Sequence, residues 1–155
     1  MDSFTRKINN KWLFSIFTLS NLPSLWFWGI RVDSFSPSGC KIALKYSWFT
    51  KNPFQSIYFS ALSGAAELST GLLVQRLALE KGNVSMLVVK AECYFTKKAT
   101  GKILFFCDQG EDVEAAFQIL VKAGDTTQLV LQSIGKNEAG DEVARFSFTW
   151  ALKKK

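Results

Sequence analysis

Hydrophobic and polar positions alternate with a period of two in five stretches of the chain. Over residues 40 to 48, Ile42, Leu44, Tyr46 and Trp48 fall on one side and Lys41, Ala43, Lys45 and Ser47 on the other, which predicts a half-buried strand. Residues 85 to 96 alternate again and place Leu87, Val89, Ala91, Cys93 and Phe95 together. The turn KKATG then leads into a strand from Lys102 to Cys107, a hairpin signal. Residues 127 to 134 and 142 to 152 predict two further strands about the turn KNEAGD, with Ala144, Phe146, Phe148, Trp150 and Leu152 facing one way.

Between these stretches the period lengthens to that of a helix. Asn52-Pro53 breaks the first strand, residues 57 to about 80 run without proline, and Gly82 and Asn83 stop them, so a long helix is predicted there. In EDVEAAFQILVKAG, residues 111 to 124, acids stand in the first turn and Val113, Ala116, Phe117, Leu120 and Val121 recur at helical spacing. At the N-terminus, KWLFSIFTLSNLPSLWFWGI follows Arg6 and Lys7, but Ser15, Thr18, Ser20, Asn21 and Pro23 interrupt its apolar run and no small-residue cleavage site follows. Residues 1 to 24 are therefore read as an amphipathic helical segment, its helix ending before Pro23 and its aromatic side chains covering a core or a partner subunit. The order is strand, long helix, two strands, short helix, two strands. This is an α+β pattern with a mainly antiparallel sheet covered by one long helix.

Composition narrows the chemistry. A length of 155 residues with 48% hydrophobic content supports one domain over residues 1 to 155 with a substantial core. The sequence contains no histidine, which excludes Ser-His-Asp and Cys-His catalysis and histidine-bearing zinc sites. Cys40, Cys93 and Cys107 are too few and too separated for a thiolate zinc site. They are read as reduced thiols of a cytoplasmic protein, Cys93 and Cys107 as small core residues. No metal and no cofactor are expected, and any general base must be a carboxylate or, failing that, a lysine or tyrosine. The net charge of +6 is densest at Lys97, Lys98, Lys102 and the terminal lysines. It permits an anionic ligand, but no stacking or groove-reading motif accompanies it, so no nucleic-acid partner and no integral membrane association are expected.

One carboxylate stands out. On a helical wheel, Ser60, Ser63, Gly64, Thr70, Gly71 and Val74 form a narrow stripe centred on Glu67, while Ala61, Leu62, Ala65, Leu68, Leu72 and Leu73 form an ordinary core face opposite. Side chains this small suit close approach by another surface, which is read as a second subunit. Glu67 then either pairs with a cation or faces water, or it is kept for chemistry.

The pieces GIRV at 29 to 32, NPFQSIYFSALSGAAELS at 52 to 69, YFTKKATGKI at 94 to 103 and DEVARFSFTW at 141 to 150 resemble hotdog-fold proteins of the acyl-coenzyme A thioesterase superfamily, in particular its uncharacterised, thioesterase-like branch. The resemblance implies a hotdog fold, in which a curved antiparallel sheet wraps a central helix. It also implies a homo-oligomer, dimer or tetramer, and an acyl-CoA or related thioester substrate. In related phenylacetate-pathway thioesterases a His-Gly-Gly segment opens the helix, and an acid follows nine positions after the histidine. Tyr58, Phe59 and Ser60 take the first three places here and Glu67 takes the acidic one. Glu67 is thereby the implied general base or nucleophile, Asn52 a second catalytic candidate, and Tyr58, Phe59, Ser60, Ser63 and Thr70 the implied substrate contacts. Lys97, Lys98 and Lys102 flank the turn where relatives receive coenzyme A phosphates. Because the glycines are replaced, binding of acyl-CoA or a lipid without catalysis stands as the alternative.

Overall fold

The computed structural model describes residues 3 to 155; the first two residues of the expected N-terminal segment lie outside the described residues. The N-terminal segment is three helices instead of one: α1 (Ser3–Asn9), α2 (Lys11–Asn21) and α3 (Pro23–Phe27). Asn10 separates the first two by capping α2, its Oδ1 accepting from the Trp12 and Leu13 amides at 3.1 Å. Pro23 ends α2 as expected but also opens α3, because a proline is pre-organised for the first turn.

Six strands follow, one more than the alternation predicts: β1 (Arg31–Ser36), β2 (Gly39–Lys45), β3 (Val84–Phe95), β4 (Lys102–Cys107), β5 (Thr126–Lys136) and β6 (Glu142–Lys154). They form one antiparallel sheet in the order β1-β2-β4-β5-β6-β3. β1 escapes the pattern because it is an edge strand whose register shifts between Val32 and Ser34, which disrupts its alternation. The long helix α4 (Phe59–Lys81) lies against the sheet, and α5 (Gly110–Gln118) packs beside it.

The expected core face of α4 holds: Ala61, Leu62, Ala65, Leu68, Leu72 and Leu73 are all buried. So are the inward residues of β6, with Phe146 stacked on Phe148. Three other expectations are corrected. The first strand ends at Lys45, leaving Tyr46 and Trp48 exposed, because the buried Thr50 hydroxyl accepts from the Ser47 amide at 2.8 Å and donates to the Lys45 carbonyl at 2.9 Å, turning the chain. α5 stops at Gln118 rather than continuing to Gly124; the Asp125 carboxylate holds the Val121 and Lys122 amides, and Val121 is exposed.

In β3, a bulge between Val88 and Lys90 divides the supposed common face. Val88 opposes the buried Trp150 and Met86 opposes Leu152, so Leu87 and Val89 point away from the core. Past the bulge, Ala91, Cys93 and Phe95 return to the inward side opposite Phe148, Phe146 and Ala144. They remain exposed, so Cys93 is not a core residue. Cys40 and Cys107, by contrast, are buried partners in the β2–β4 register, and all three thiols are free.

Candidate functional site

Glu67 lies midway along α4, one turn from Gly64 and one from Gly71. Both glycines make room for an indole. A Cβ on Gly64 would sit 3.3 Å from the Trp28 ring, and one on Gly71 would sit 3.3 Å from the Trp150 ring. Trp150 is oriented by its own hydrogen bond, Nε1 donating to Thr70 Oγ1 at 3.2 Å, while the Thr70 hydroxyl donates to the Glu67 carbonyl at 2.9 Å. At Gly64 and Gly71 the small-residue stripe therefore receives rings from this chain's own α3 end and β6.

Beside the Trp150 ring opens a pocket of about 180 Å³, lined by Leu22 and Leu25 from the N-terminal segment, Leu68 and Leu72 of α4, Met86 on β3, and Gln75 two turns beyond Glu67. Glu67 is the pocket's ionisable group, and among the described residues its carboxylate has neither a hydrogen-bond nor an ion-pair partner. Glu67 is exposed, as the water-facing reading expects, yet the apolar atoms around it strip enough water to push its pKa above the ordinary carboxylate value. Within this chain, then, no cation among the described residues pairs with Glu67.

The remaining candidates gather elsewhere, at the start of α4. Asn52, Phe59, Lys97 and Lys98 line a second opening of about 400 Å³ with Ile57, Phe95 and Ala99. The helix begins without a side-chain cap, and the Phe59 and Ser60 amides have no acceptor among the described residues. Phe59 packs edge-on against Phe95 with ring centroids 5.9 Å apart. Tyr58 is exposed beside it, and Ser60 and Ser63 are half-buried. Asn52 shapes a turn: its Oδ1 accepts from the Phe54 amide at 2.9 Å and the Ser56 amide at 3.2 Å, and its Nδ2 donates to Ser56 Oγ at 3.1 Å.

Two expected contacts are displaced. Thr70 is buried and its hydroxyl is engaged with Trp150, so it offers a substrate no surface. Lys102 stands apart from Lys97 and Lys98, its ammonium 3.8 Å from Asp33. Lys97 lies 3.0 Å from Asp141, and Lys98 donates to the Phe54 carbonyl at 3.1 Å. Trp28, Trp150, Leu22, Leu25 and Gln75 were not singled out for the site from the sequence. The one local signal for them is the pair of glycines flanking Glu67, which marks where large rings fit.

A six-stranded antiparallel sheet around one long helix, with a carboxylate on that helix, is a hotdog fold. Within that class the chain belongs to the family described as a domain of unknown function, DUF4442, whose pattern it matches over residues 10 to 152. Solved structures share the fold. A protein of unknown function from Chlorobaculum tepidum superposes with a TM-score of 0.78 at 16% identity, covering 97% of this chain and 99% of that one. A Pseudomonas aeruginosa protein described as a probable thioesterase gives 0.72 at 18%, covering 92% and 95%. A thioesterase from Haemophilus influenzae gives 0.67 at 14%, covering 88% and 87%. No curated protein matches the sequence.

Proposed function

We propose that the chain hydrolyses an acyl thioester, with Glu67 as the general base for the attacking water. The observation that carries this reading is an unpaired, partly desolvated carboxylate opening onto a pocket walled by leucine, methionine and indole. Such walls suit an apolar acyl group, and a base with a raised pKa is a stronger proton acceptor once ionised. The ionised carboxylate takes a proton from water as its oxygen attacks the thioester carbonyl carbon. The tetrahedral intermediate collapses with cleavage of the C–S bond, and the proton passes from Glu67 to the departing sulfur, giving a carboxylic acid and a thiol.

The oxyanion needs a donor, and the free Phe59 and Ser60 amides at the positive end of α4 are suited to that role. Eight residues of helix separate Phe59 from Glu67, about 12 Å along the axis, too far for both to touch one carbonyl carbon and its oxygen within a single chain. The complete site therefore joins Glu67 of one copy to the α4 start of another. Lys97 and Lys98 line the opening beside that start, which supports assigning them to the phosphates of a coenzyme A carrier once they release Asp141 and the Phe54 carbonyl. The test is release of free thiol from acyl-CoA compounds of varied acyl group. The alternative, binding without turnover, draws on the phenylalanine ring that narrows the approach at position 59. Tight binding of these compounds with no thiol released decides for it.

A further inference from the structure

Two polar side chains, Glu67 and Gln75, line the pocket among leucine, methionine and indole. On a wheel at 3.6 residues per turn its helical lining runs in the order Glu67, Gly71, Gly64, Gln75, Leu68, Leu72. Glu67 stands at the edge of this stripe and is exposed, whereas Gln75 stands in its middle and is half-buried. Of the residues between them in sequence only Gly71 lies on this side, so no α4 side chain separates the amide from the carboxylate. Helical side chains lean toward the helix N-terminus, which for Gln75 is the direction of Glu67.

Among the described residues the Gln75 side-chain amide has no hydrogen-bond partner. It carries two N–H donors and a carbonyl acceptor. A methyl group pressed against it removes water and returns nothing, while a hydroxyl replaces one hydrogen bond by another. An apolar pocket with a few placed polar groups is the form that fixes a ligand's orientation.

The span between the two polar residues limits what lies between them. Eight residues of helix are about 12 Å along the axis, which admits at most about nine carbons of an extended chain at roughly 1.3 Å each. The attacking water and the polar contact at the far end shorten this. Volume fixes the number more closely. The pocket's 180 Å³ is about six times the ~30 Å³ share of a water molecule in the liquid, and a methylene is of similar size.

We infer that the pocket selects an acyl group of about six carbons with a polar far end, which Gln75 holds by a hydrogen bond. The inference rests on the hydrolytic reading of Glu67 and names the acyl class that reading leaves open. The thioester carbonyl lies at Glu67, the apolar walls enclose the methylenes, and an ω-hydroxyl donates to Gln75 Oε1 or accepts from Nε2.

The experiment follows free thiol from hexanoyl-CoA, ω-hydroxyhexanoyl-CoA and ω-hydroxydodecanoyl-CoA. The parent's kcat/KM is highest for ω-hydroxyhexanoyl-CoA, exceeding hexanoyl-CoA by roughly tenfold, and Gln75→Leu levels the two. Because each protein is compared with itself, a loss of folded material cancels from the ratio. A parent without this preference, a Gln75→Leu variant that keeps it, or a parent that cleaves the dodecanoyl compound equally well overturns the inference. Thiol release without preference leaves the hydrolytic reading standing and removes only this one. The hexyl and ω-hydroxyhexyl thioethers of coenzyme A, which cannot be hydrolysed, supply the second arm. If no thioester is cleaved, the hydrolytic reading falls. Tighter binding of the hydroxylated thioether by the parent, lost in Gln75→Leu, then still assigns Gln75 to the polar end, and equal binding overturns that assignment.

Discussion

At the residue scale Glu67 concentrates the question of function, since its surroundings are desolvating and hold no counter-charge. Glu67→Gln preserves shape and removes the base, so thiol release falls by about 10²–10⁴ while the far-UV spectrum is unchanged. The base works only when ionised, and its pKa is raised; activity therefore climbs with pH through a midpoint above the usual glutamate value, and is lost as pH drops through it. Stability moves the opposite way. A carboxyl whose pKa is raised on folding binds more protons in the native state, so its unfavourable contribution appears as pH rises from the unfolded to the folded value. Glu67→Gln accordingly melts at or above the parent at neutral pH, and the two converge under acid conditions where Glu67 is protonated. A variant that melts well below the parent at neutral pH returns Glu67 to a structural role.

At the scale of elements, close approach between helix and sheet depends on what is missing from side chains. Gly64 and Gly71 admit the indoles of Trp28 and Trp150, the second of which walls the pocket. Gly135 does the same inside the sheet: a Cβ there would lie 2.6 Å from the ring of Phe105, which is itself fully buried on β4 between its β2 and β5 neighbours. With no room for the ring to yield, Gly135→Ala costs about 1–3 kcal/mol, read as a lower urea midpoint at unchanged slope. The bulge in β3 belongs to this scale as well. It turns Leu87 and Val89 outward and leaves Cys93 accessible. A thiol reagent applied to the native chain should modify Cys93 alone, because Cys40 and Cys107 are buried and burial pushes the Cys107 pKa to about 11 and that of Cys40 higher still.

At the scale of the whole molecule the proposed site is split. The unpaired amides stand at the start of α4 and the base at its middle. If two copies complete each other, inactive variants complement. Phe59→Pro removes one of those amides at a position where proline is tolerated, since Tyr58 before it is already extended. Mixing Phe59→Pro with Glu67→Gln under conditions that exchange subunits then restores up to about a quarter of parental activity, from one intact site in each hybrid dimer formed by random pairing. A mixture that stays inactive while hybrids are present rules out a shared site.

The strands and helices were legible where local chemistry is decisive. Alternation in β6, the proline-free run of α4 and the Gly82-Asn83 stop depend on periodicity and backbone preference, which a sequence carries by itself. The isolation of Glu67 on α4 was legible too, because a lone carboxylate in a stripe of small residues is visible on a wheel. Its surroundings were not. Nothing near Gly64 or Gly71 in the chain announces Trp28 and Trp150, which arrive from opposite ends of the sequence once α3 folds back and β6 joins the sheet. The same holds for β1 and for the parity change in β3. Periodicity tells which residues share a side, but only the packed neighbours decide which side is covered, and a single extra residue in a ladder reverses the answer.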